Sequence, residues 1–351
     1  MSETIEKPPE APKHAGLAAD DALVDPFGRR ISYLRVSVTD RCDLRCVYCM
    51  PERMAFLPRK EVLSLEELER LIRAFMRHGV RKVRLTGGEP LVRKGIFTLI
   101  GNLGDAVRRG DLDEVTLTTN GTLLAENAAR LADAGVKRVN LSLDTLDPDR
   151  FQRITRRRKL DDVLIGIDAA QKEGLSIKLN TVAMKEENAD EIPSMISWAH
   201  RRGIDLTLIE IMPLGEVDQD RMDQYLPLTQ VREDLDRRWT LSPIGLRTGG
   251  PARYVRVEET GGKLGFISPL TNNFCDDCNR VRLTCTGQLY MCLGQDDNAD
   301  FRDVMRSGAD EVELDRAIAA AITRKPKGHD FAIRKRGAAP AVSRRMSATG
   351  G

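Results

Sequence analysis

Hydrophobic residues in this chain follow two alternating rhythms, one typical of buried strands and one typical of amphipathic helices. Five times a glycine closes a helical stretch and a β-branched segment follows a few residues later. These glycines are Gly79, Gly110, Gly135, Gly174 and Gly203. Glycine is common just after a helix because it adopts the left-handed conformation without steric cost. With an earlier segment at residues 33–39, the pattern predicts six strands.

Helices are predicted between these strands. The clearest begins after Ser64, which forms a capping-box pattern with Glu67 and is followed by apolar residues at helical spacing as far as Met76. Further helices are predicted at residues 96–109, 124–134, 161–173 and 189–202. Alternating strands and helices indicate parallel strands joined by right-handed crossovers. We therefore expect an α/β fold, an incomplete (βα)6 TIM-like barrel; a flat doubly wound sheet is the alternative that the pattern alone does not exclude.

The rhythm changes after Pro213, where the pattern favours an α+β extension. Residues 236–248 look like a connecting region. Two hairpins are then predicted, one from residues 254–258 and 264–268 and one from residues 281–285 and 289–292, and a helical stretch follows at residues 303–323.

Charge and composition exclude several functional classes. The 351 residues include 55 Lys and Arg against 53 Asp and Glu, a net charge of +2 that gives no support to a nucleic-acid or membrane-surface partner. No apolar run reaches the roughly 18 residues of a membrane helix, and residues 1–28 have no secretory signal. With seven cysteines and no export signal, we expect a cytoplasmic protein with reduced thiols.

Two groups of three cysteines carry the strongest chemical signal. The first cysteine group is Cys42, Cys46 and Cys49, and the second cysteine group is Cys275, Cys278 and Cys292. Three clustered thiolates suit an iron–sulfur cluster that keeps one iron without a protein ligand. The alternatives are a structural zinc site, which needs four ligands, and buried free thiols. Cys285 alternates with the polar residues of its strand, so we interpret it as a core residue.

Polar residues also follow the predicted strands at the edge where barrel enzymes form their sites. Glu89 and two glycines follow the second strand, Thr118 lies at the end of the third, and Ser142 and Asp144 end the fourth. Each segment alone could be a turn. Together they indicate a small polar ligand beside the first cysteine group.

Five cations alternate with apolar residues on predicted strands, and we call them the cation group. They are Arg35, Arg84, Lys178, Arg280 and Arg282. Inward-facing cations are costly unless paired, and guanidinium groups bind phosphate well, so their convergence predicts a bound polyanion. The alternatives are a solvated strand face or ion pairs with barrel acids such as Glu89, Asp144 and Glu210.

The CxxxCxxC spacing, the Gly-Gly-Glu-Pro run and the Ser-Leu-Asp run together resemble the radical S-adenosylmethionine enzymes. That resemblance implies a 4Fe-4S cluster on the first cysteine group, with S-adenosylmethionine on its open iron and a 5′-deoxyadenosyl radical as the reactive product. It also implies S-adenosylmethionine contacts from Tyr48, Gly88, Ser142 and Met212.

The second cysteine group, the Asn-Arg-Val-Arg-Leu run and the terminal glycine pair resemble the GTP 3′,8-cyclase family from about Phe27 onward. The resemblance implies a second 4Fe-4S cluster facing the purine of GTP, and the first step of molybdenum cofactor biosynthesis. The product would be (8S)-3′,8-cyclo-7,8-dihydroguanosine 5′-triphosphate, formed by hydrogen abstraction at C3′ and C3′–C8 bond formation. Implied catalytic residues are Arg35, Arg280, Arg282, Gly350 and Gly351. Implied GTP contacts are Arg35, Arg84, Thr118, Lys178, Arg280, Val281 and Arg282.

The sequence departs from that family at two places: Thr207 stands where arginine is frequent, and Ala348-Thr349 is smaller than usual. We expect a disordered tail at residues 1–28, the partial barrel at 29–235, a C-terminal domain with the second cluster at 236–330 and a flexible tail at 331–351. The resemblance also implies an external low-potential electron donor and a homodimer. Alternatives are a twin-cluster radical enzyme that modifies peptides, an iron–sulfur electron carrier and a zinc-stabilised binding protein.

Overall fold

The structure is a computed structural model that describes residues 22–217, 220–246, 248–272, 274–333, 335–337 and 339–350. Its strands are β1 (Tyr33–Ser37), β2 (Lys82–Thr86), β3 (Glu114–Thr119), β4 (Arg138–Ser142), β5 (Ser176–Ala183), β6 (Asp205–Glu210), β7 (Leu241–Pro243), β8 (Arg253–Val257), β9 (Lys263–Ile267), β10 (Arg280–Leu283), β11 (Gln288–Tyr290) and β12 (Asn298–Asp300). Within these ranges they form one sheet of twelve strands in the order β12-β11-β10-β1-β2-β3-β4-β5-β6-β9-β8-β7.

The six predicted barrel strands are neighbours in chain order, and every adjacent pair from β1 to β6 is parallel. A doubly wound sheet would reverse its strand order near the middle, and this one does not. The α/β partial barrel predicted from the sequence is therefore confirmed.

The two C-terminal hairpins attach to opposite edges of the barrel sheet. Strand β9 pairs parallel with β6 and continues through β8 to β7, whereas β10 pairs parallel with β1 and continues through β11 to β12. The hairpins themselves were predicted, but β7 lies in the segment interpreted as a connection, and β12 has no signal in the pattern. The second cysteine group consequently lies near β1, the strand that precedes the first cysteine group.

The helices are α1 (Leu65–Arg77), α2 (Ile96–Arg109), α3 (Leu124–Asp133), α4 (Pro148–Thr155), α5 (Leu160–Lys172), α6 (Ile192–Arg201), α7 (Arg221–Gln224), α8 (Leu228–Asp236), α9 (Phe301–Arg306), α10 (Glu311–Ile322) and α11 (Met346–Thr349). The predicted capping box of Ser64 and Glu67 begins α1. The single helical stretch expected at residues 303–323 is instead two helices. The first helix, α9, is followed by Gly308 at φ +88°, and an Asp310–Glu313 capping box starts the second, α10. No helix in the described ranges is long and apolar enough to cross a membrane.

The described residues near both chain ends contact the barrel. Residues 1–21 lie outside the described part, but residues 22–28 form a turn against the barrel, because the buried Arg29 side chain pairs with Asp25. The C-terminal segment expected to be flexible is held by backbone hydrogen bonds from Ala341 to Pro213 and from Gly215 to Val342, 2.9 Å each. It ends in α11, which packs on β1. Gly351 lies outside the described residues.

Candidate functional site

The strand register brings the predicted cations together inside the barrel. Arg35 of β1 lies between Arg282 of β10 and Arg84 of β2. Lys178 of β5 lies beside Asn140 of β4, which in turn pairs with Thr118 of β3. Because successive strand residues point to opposite faces, these polar residues share the inner face of the sheet.

This inner face borders a cavity of about 210 Å³. Predicted site residues that line it are Arg35, Tyr48, Arg84, Thr118, Ser142, Lys178, Met212, Cys275, Cys278, Arg280, Arg282 and Cys292. One cavity thus collects the cation group, the second cysteine group and three of the four residues expected at S-adenosylmethionine.

Other predicted residues lie outside this lining. The Val281 side chain is buried in the hydrophobic core, on the opposite face of β10 from Arg280 and Arg282. Gly88 packs under the loop that leads into the first cysteine group: its amide donates to the Thr39 carbonyl at 2.9 Å, and a Cβ there would meet the Arg41 carbonyl oxygen at 2.2 Å. The glycine is therefore required by the loop itself, whatever else it contacts.

The first cysteine group lies in a partly buried loop after β1. The Cys42 sulfur accepts hydrogen bonds from the Leu44 amide at 3.4 Å and the Asn120 side chain at 3.7 Å. Burial raises the pKa of Cys42 to about 12 and that of Cys49 to about 11. The free thiols are therefore protonated at neutral pH, and binding of metal must displace their protons.

Among the described residues, no three His, Cys, Asp or Glu side chains form a group that could hold a metal ion. The fit of a cluster to either cysteine group therefore rests on donor chemistry. Three thiol donors in an eight-residue loop match the thiolate ligation of iron–sulfur clusters. Their hydrogen-bonded surroundings match the donors that tune such sulfurs.

The second cysteine group differs in its electrostatics. Burial alone would raise the pKa of the Cys278 thiol, but the charges of Arg280 and Lys325 outweigh burial and lower that pKa to about 7. A thiol of this kind is readily converted to the thiolate that metals bind. Cys278 thus lies in a more cationic environment than the cysteines of the first group, although burial raises the pKa of Cys292.

The cation group is not neutralised by the barrel acids. Asp144 accepts from the Tyr48 hydroxyl at 2.7 Å, and Glu89 accepts from the Asn120 amide at 2.7 Å. Glu210 accepts from the amides of Leu228 and Leu270. Burial raises the pKa of Glu89 to about 7 and that of Asp144 to about 6. The alternative of ion pairs with these acids is therefore wrong.

The cations instead repel one another. Burial, followed by the charge of Arg280, lowers the pKa of Arg282 to about 9, and burial, followed by Arg84, lowers that of Lys178 to about 7. The pKa of Arg35 also falls well below its usual value because of burial and the charge of Arg282. Such crowding favours a polyanionic ligand.

Several cavity-lining atoms are buried without any partner in the described part of the chain. They are Arg35 Nε, Arg84 Nε, Thr118 Oγ1 and Asn180 Oδ1. Buried polar atoms are normally hydrogen-bonded, so this cluster indicates a bound molecule with both donors and acceptors. Asn180 was missed from the sequence, although it lies two residues beyond Lys178 on the same strand face and the period-two rule could have found it.

The C-terminal segment contacts the site through residues 346–350. The backbone amide of Ser347 hydrogen-bonds to the Cys49 sulfur, and Met346 lines the cavity. The Arg282 guanidinium donates to the Gly350 carbonyl. Gly350 has φ +75°, and a Cβ there would come within 2.2 Å of the Thr86 side chain. The tail therefore touches both a cysteine of the first group and a member of the cation group.

Comparisons with known proteins agree with this architecture. The sequence profile of the Radical SAM superfamily matches residues 36–199, and that of Molybdenum Cofactor Synthesis C matches residues 204–331. In fold, the chain is similar to Streptococcus suis SuiB bound to S-adenosylmethionine, with a TM-score of 0.58 at 17% identity over 80% of this chain and 67% of that one. Fold and site together define a radical S-adenosylmethionine enzyme.

Relatives that match 94% of the chain identify the family within this class. The chain is 61% identical to a GTP 3′,8-cyclase of Brucella canis, over 94% of this chain and 96% of the relative. It is 62% identical to a GTP 3′,8-cyclase of Rhizobium etli, over 94% of each. The chain belongs to the GTP 3′,8-cyclase family.

Proposed function

We propose that this enzyme converts GTP to (8S)-3′,8-cyclo-7,8-dihydroguanosine 5′-triphosphate, the first step of molybdenum cofactor biosynthesis. The observation that carries the proposal is the single cavity in which five mutually repelling cations meet a cysteine group. In a chain 61% identical to a GTP 3′,8-cyclase, an anionic nucleotide is the ligand that this cavity fits.

The radical chemistry requires a 4Fe-4S cluster and S-adenosylmethionine, as in the superfamily to which the chain belongs. These groups, when bound, supply the radical that removes hydrogen from C3′ of the substrate. Cys42, Cys46 and Cys49 would hold the cluster. Tyr48, Gly88, Ser142 and Met212 would contact the cofactor, and the Tyr48 hydroxyl is already oriented by its hydrogen bond to Asp144.

A second 4Fe-4S cluster on Cys275, Cys278 and Cys292 is part of the proposal. Its support is the donor set itself and the position of all three cysteines on the cavity wall. An iron left without a protein ligand would be available to the guanine base. Arg280 and Arg282 lie on the same wall and would hold the substrate against it.

The triphosphate would be bound by Arg35, Arg84 and Lys178, with Thr118 as a polar contact. These side chains line the cavity from strands β1, β2, β3 and β5, and the two arginines keep Nε atoms without a partner among the described residues. Arg35, Arg280 and Arg282 would act on the reacting nucleotide, and the Gly350–Gly351 tail would close the site. Val281 lies between the two arginines and would contact GTP through its backbone, because its side chain is buried in the core.

The remaining partners follow from the chemistry. A cluster that cleaves a sulfonium needs an external low-potential electron donor, and such clusters favour a reducing, cytoplasmic setting. The family resemblance implies a homodimer. Light scattering of the anaerobically purified protein would measure its mass, and a mass near 39.2 kDa would reject the dimer.

The deciding experiment is anaerobic turnover. The protein is reconstituted with iron and sulfide, reduced, and supplied with S-adenosylmethionine with and without GTP. We expect 5′-deoxyadenosine release that GTP strongly stimulates, together with the cyclised triphosphate. Cleavage indifferent to GTP would instead favour a peptide-modifying enzyme, and no cleavage by an iron-loaded protein would favour an electron carrier.

A further inference from the structure

Two buried cations lie behind the second cysteine group and have no place in the proposed reaction. Lys325 is only 2% exposed and Arg29 only 8% exposed. They lie far apart in the sequence, one after α10 and one before β1. Neither residue lines the cavity, so neither can contact a nucleotide bound there.

Lys325 joins the chain segments that carry two of the cysteines. Its ammonium donates to the Met291 carbonyl at 2.6 Å, to the Arg280 carbonyl at 3.0 Å and to the Cys278 sulfur at 3.7 Å. Met291 directly precedes Cys292, so one ammonium fixes the chain beside two cysteines of the group. In the described part of the chain, the hydrogen-bond partners of this ammonium are these two carbonyls and this sulfur.

Arg29 performs the same task for the third cysteine. Its guanidinium donates to the Cys275 carbonyl at 2.7 Å, and to the carbonyls of Lys327 and Pro326 at 2.7 Å and 2.6 Å. Asp25 holds the other side of the guanidinium. Arg29 therefore ties the segment that follows Lys325 to the loop of Cys275.

A buried ammonium destabilises the fold unless a negative charge or strong acceptors compensate it. Arg29 has a carboxylate partner, whereas Lys325 contacts neutral carbonyls and a cysteine sulfur. Three thiolates and a cluster would provide the missing negative charge. The position of Lys325 is then explained by the group that the cysteines hold.

We propose that Lys325 and Arg29 are positioning residues for the second cluster. Lys325 donates to a ligand sulfur, stabilises the reduced cluster by its charge and, with Arg29, holds the three cysteines in place. The inference rests on the second cluster of the proposed function. Hydrogen bonds to ligand sulfurs and the charge around a cluster are what set its reduction potential.

The test uses the full chain with alanine at Cys42, Cys46 and Cys49, so that only the second cluster is observed. Its reduction potential is followed by electron paramagnetic resonance, and its iron retention by challenge with a chelator. Lys325→Met should shift the potential to more negative values and weaken iron retention about 10- to 100-fold. Arg29→Gln should weaken retention with a smaller shift in potential, because it donates to a backbone carbonyl and not to a sulfur.

Lys327→Met is the matched control. Lys327 lies two residues after Lys325 and its side chain is exposed, so this substitution removes the same charge from the surface. It should change neither quantity. If Lys325→Met does not fold, Lys325→Gln serves instead, since it keeps a hydrogen-bond donor and loses only the charge. An unchanged potential in the folded variant, or an equal shift in Lys327→Met, would overturn the proposal.

Failure of the proposed function gives a different result. If the background protein with an intact second cysteine group binds no iron, the second cluster itself is absent. If it binds about four irons and Lys325→Met is indistinguishable from it, only the positioning role fails.

Discussion

At the scale of single residues, Lys178 has a pKa that would respond to the proposed triphosphate. Its ammonium donates to the Tyr254 hydroxyl on one side and faces Arg84 and Arg35 on the other. Burial and these charges lower the pKa of Lys178 to about 7. A bound triphosphate favours the charged amine and raises that pKa again, so GTP binding above pH 7 must be accompanied by proton uptake.

We predict that GTP binding at pH 8 takes up as much as about one proton and weakens as pH rises from about 7 toward the pKa of the bound state. Calorimetry in two buffers of different ionisation enthalpy measures the uptake. Lys178→Gln should remove it, and Lys185→Gln, at an exposed lysine, should not. Equal uptake by wild type and Lys178→Gln would assign the proton to another group.

Gly350 is a position where the backbone conformation and the nearby Thr86 both require glycine. Its backbone lies against Thr86, and its φ of +75° is rarely adopted by other residues. We predict that Gly350→Ala leaves the iron content unchanged but lowers turnover by about 100-fold, the cost of roughly 1 Å of misplacement in an active site.

Gly337→Ala is the matched control for Gly350→Ala. This glycine also has a positive φ of +67°, but no heavy atom lies within 4 Å of an added Cβ. It separates backbone strain from crowding, because only crowding is specific to Gly350. Similar losses of turnover in both variants would attribute the effect to strain in the tail and not to the contact with Thr86.

At the scale of elements, helices α2 and α3 meet at a point with no room for a side chain. A Cβ on Gly104 would lie 1.7 Å from the carbonyl oxygen of Ala134, whereas one on Gly101 of the same helix would meet nothing. We predict that Gly104→Ala lowers the unfolding free energy by about 1–3 kcal/mol or more. Gly101→Ala should raise it by up to about 1 kcal/mol.

Thermal midpoints of the two variants and wild type, measured side by side without oxygen, test this pair. The two substitutions add the same methyl group to the same helix, so intrinsic helix propensity affects both alike. If Gly104→Ala were as stable as Gly101→Ala, the close approach of α2 and α3 would be refuted.

The elements also show what a single sequence can and cannot predict. The helix at Ile96–Arg109 was predicted close to its observed bounds, because apolar spacing and a following glycine are local signals. The inward position of Arg35 and Arg84 followed from period-two alternation. The attachment of β10 to β1 could not be predicted, because strand pairing depends on contacts between residues distant in sequence. The turn at residues 22–28 was missed for the same reason, since Arg29 is held by carbonyls near Cys275 and Lys325.

At the scale of the whole molecule, charge is nearly balanced but unevenly placed. The net charge is +2, yet five cations surround one cavity. Long-range attraction of nucleotides is therefore weak, and discrimination must arise after entry, from direct contacts with phosphate. Contacts of this kind in a buried site are only weakly screened by salt.

We predict that GDP, GMP and the nucleoside guanosine inhibit GTP turnover in that order of potency, with roughly tenfold weaker inhibition for each lost phosphate. That factor corresponds to about 1.5 kcal/mol for a hydrogen bond to a charged group. Arg84→Met should flatten the series, and Arg73→Met, on the exposed side of α1, should leave it unchanged. Equal inhibition by GDP and guanosine would show that the cations do not bind phosphate.

The contacts of the C-terminal segment have a consequence for the order in which the enzyme is assembled during synthesis. Cys49 leaves the ribosome early, and β1 must wait for β10 before its outer edge is paired. The residues that reach Cys49 and Arg282, namely Ser347 and Gly350, follow β10 in the sequence and emerge after it. The nascent protein thus exposes its first cysteine group until this C-terminal segment has been made, and iron has open access to those thiols during that interval.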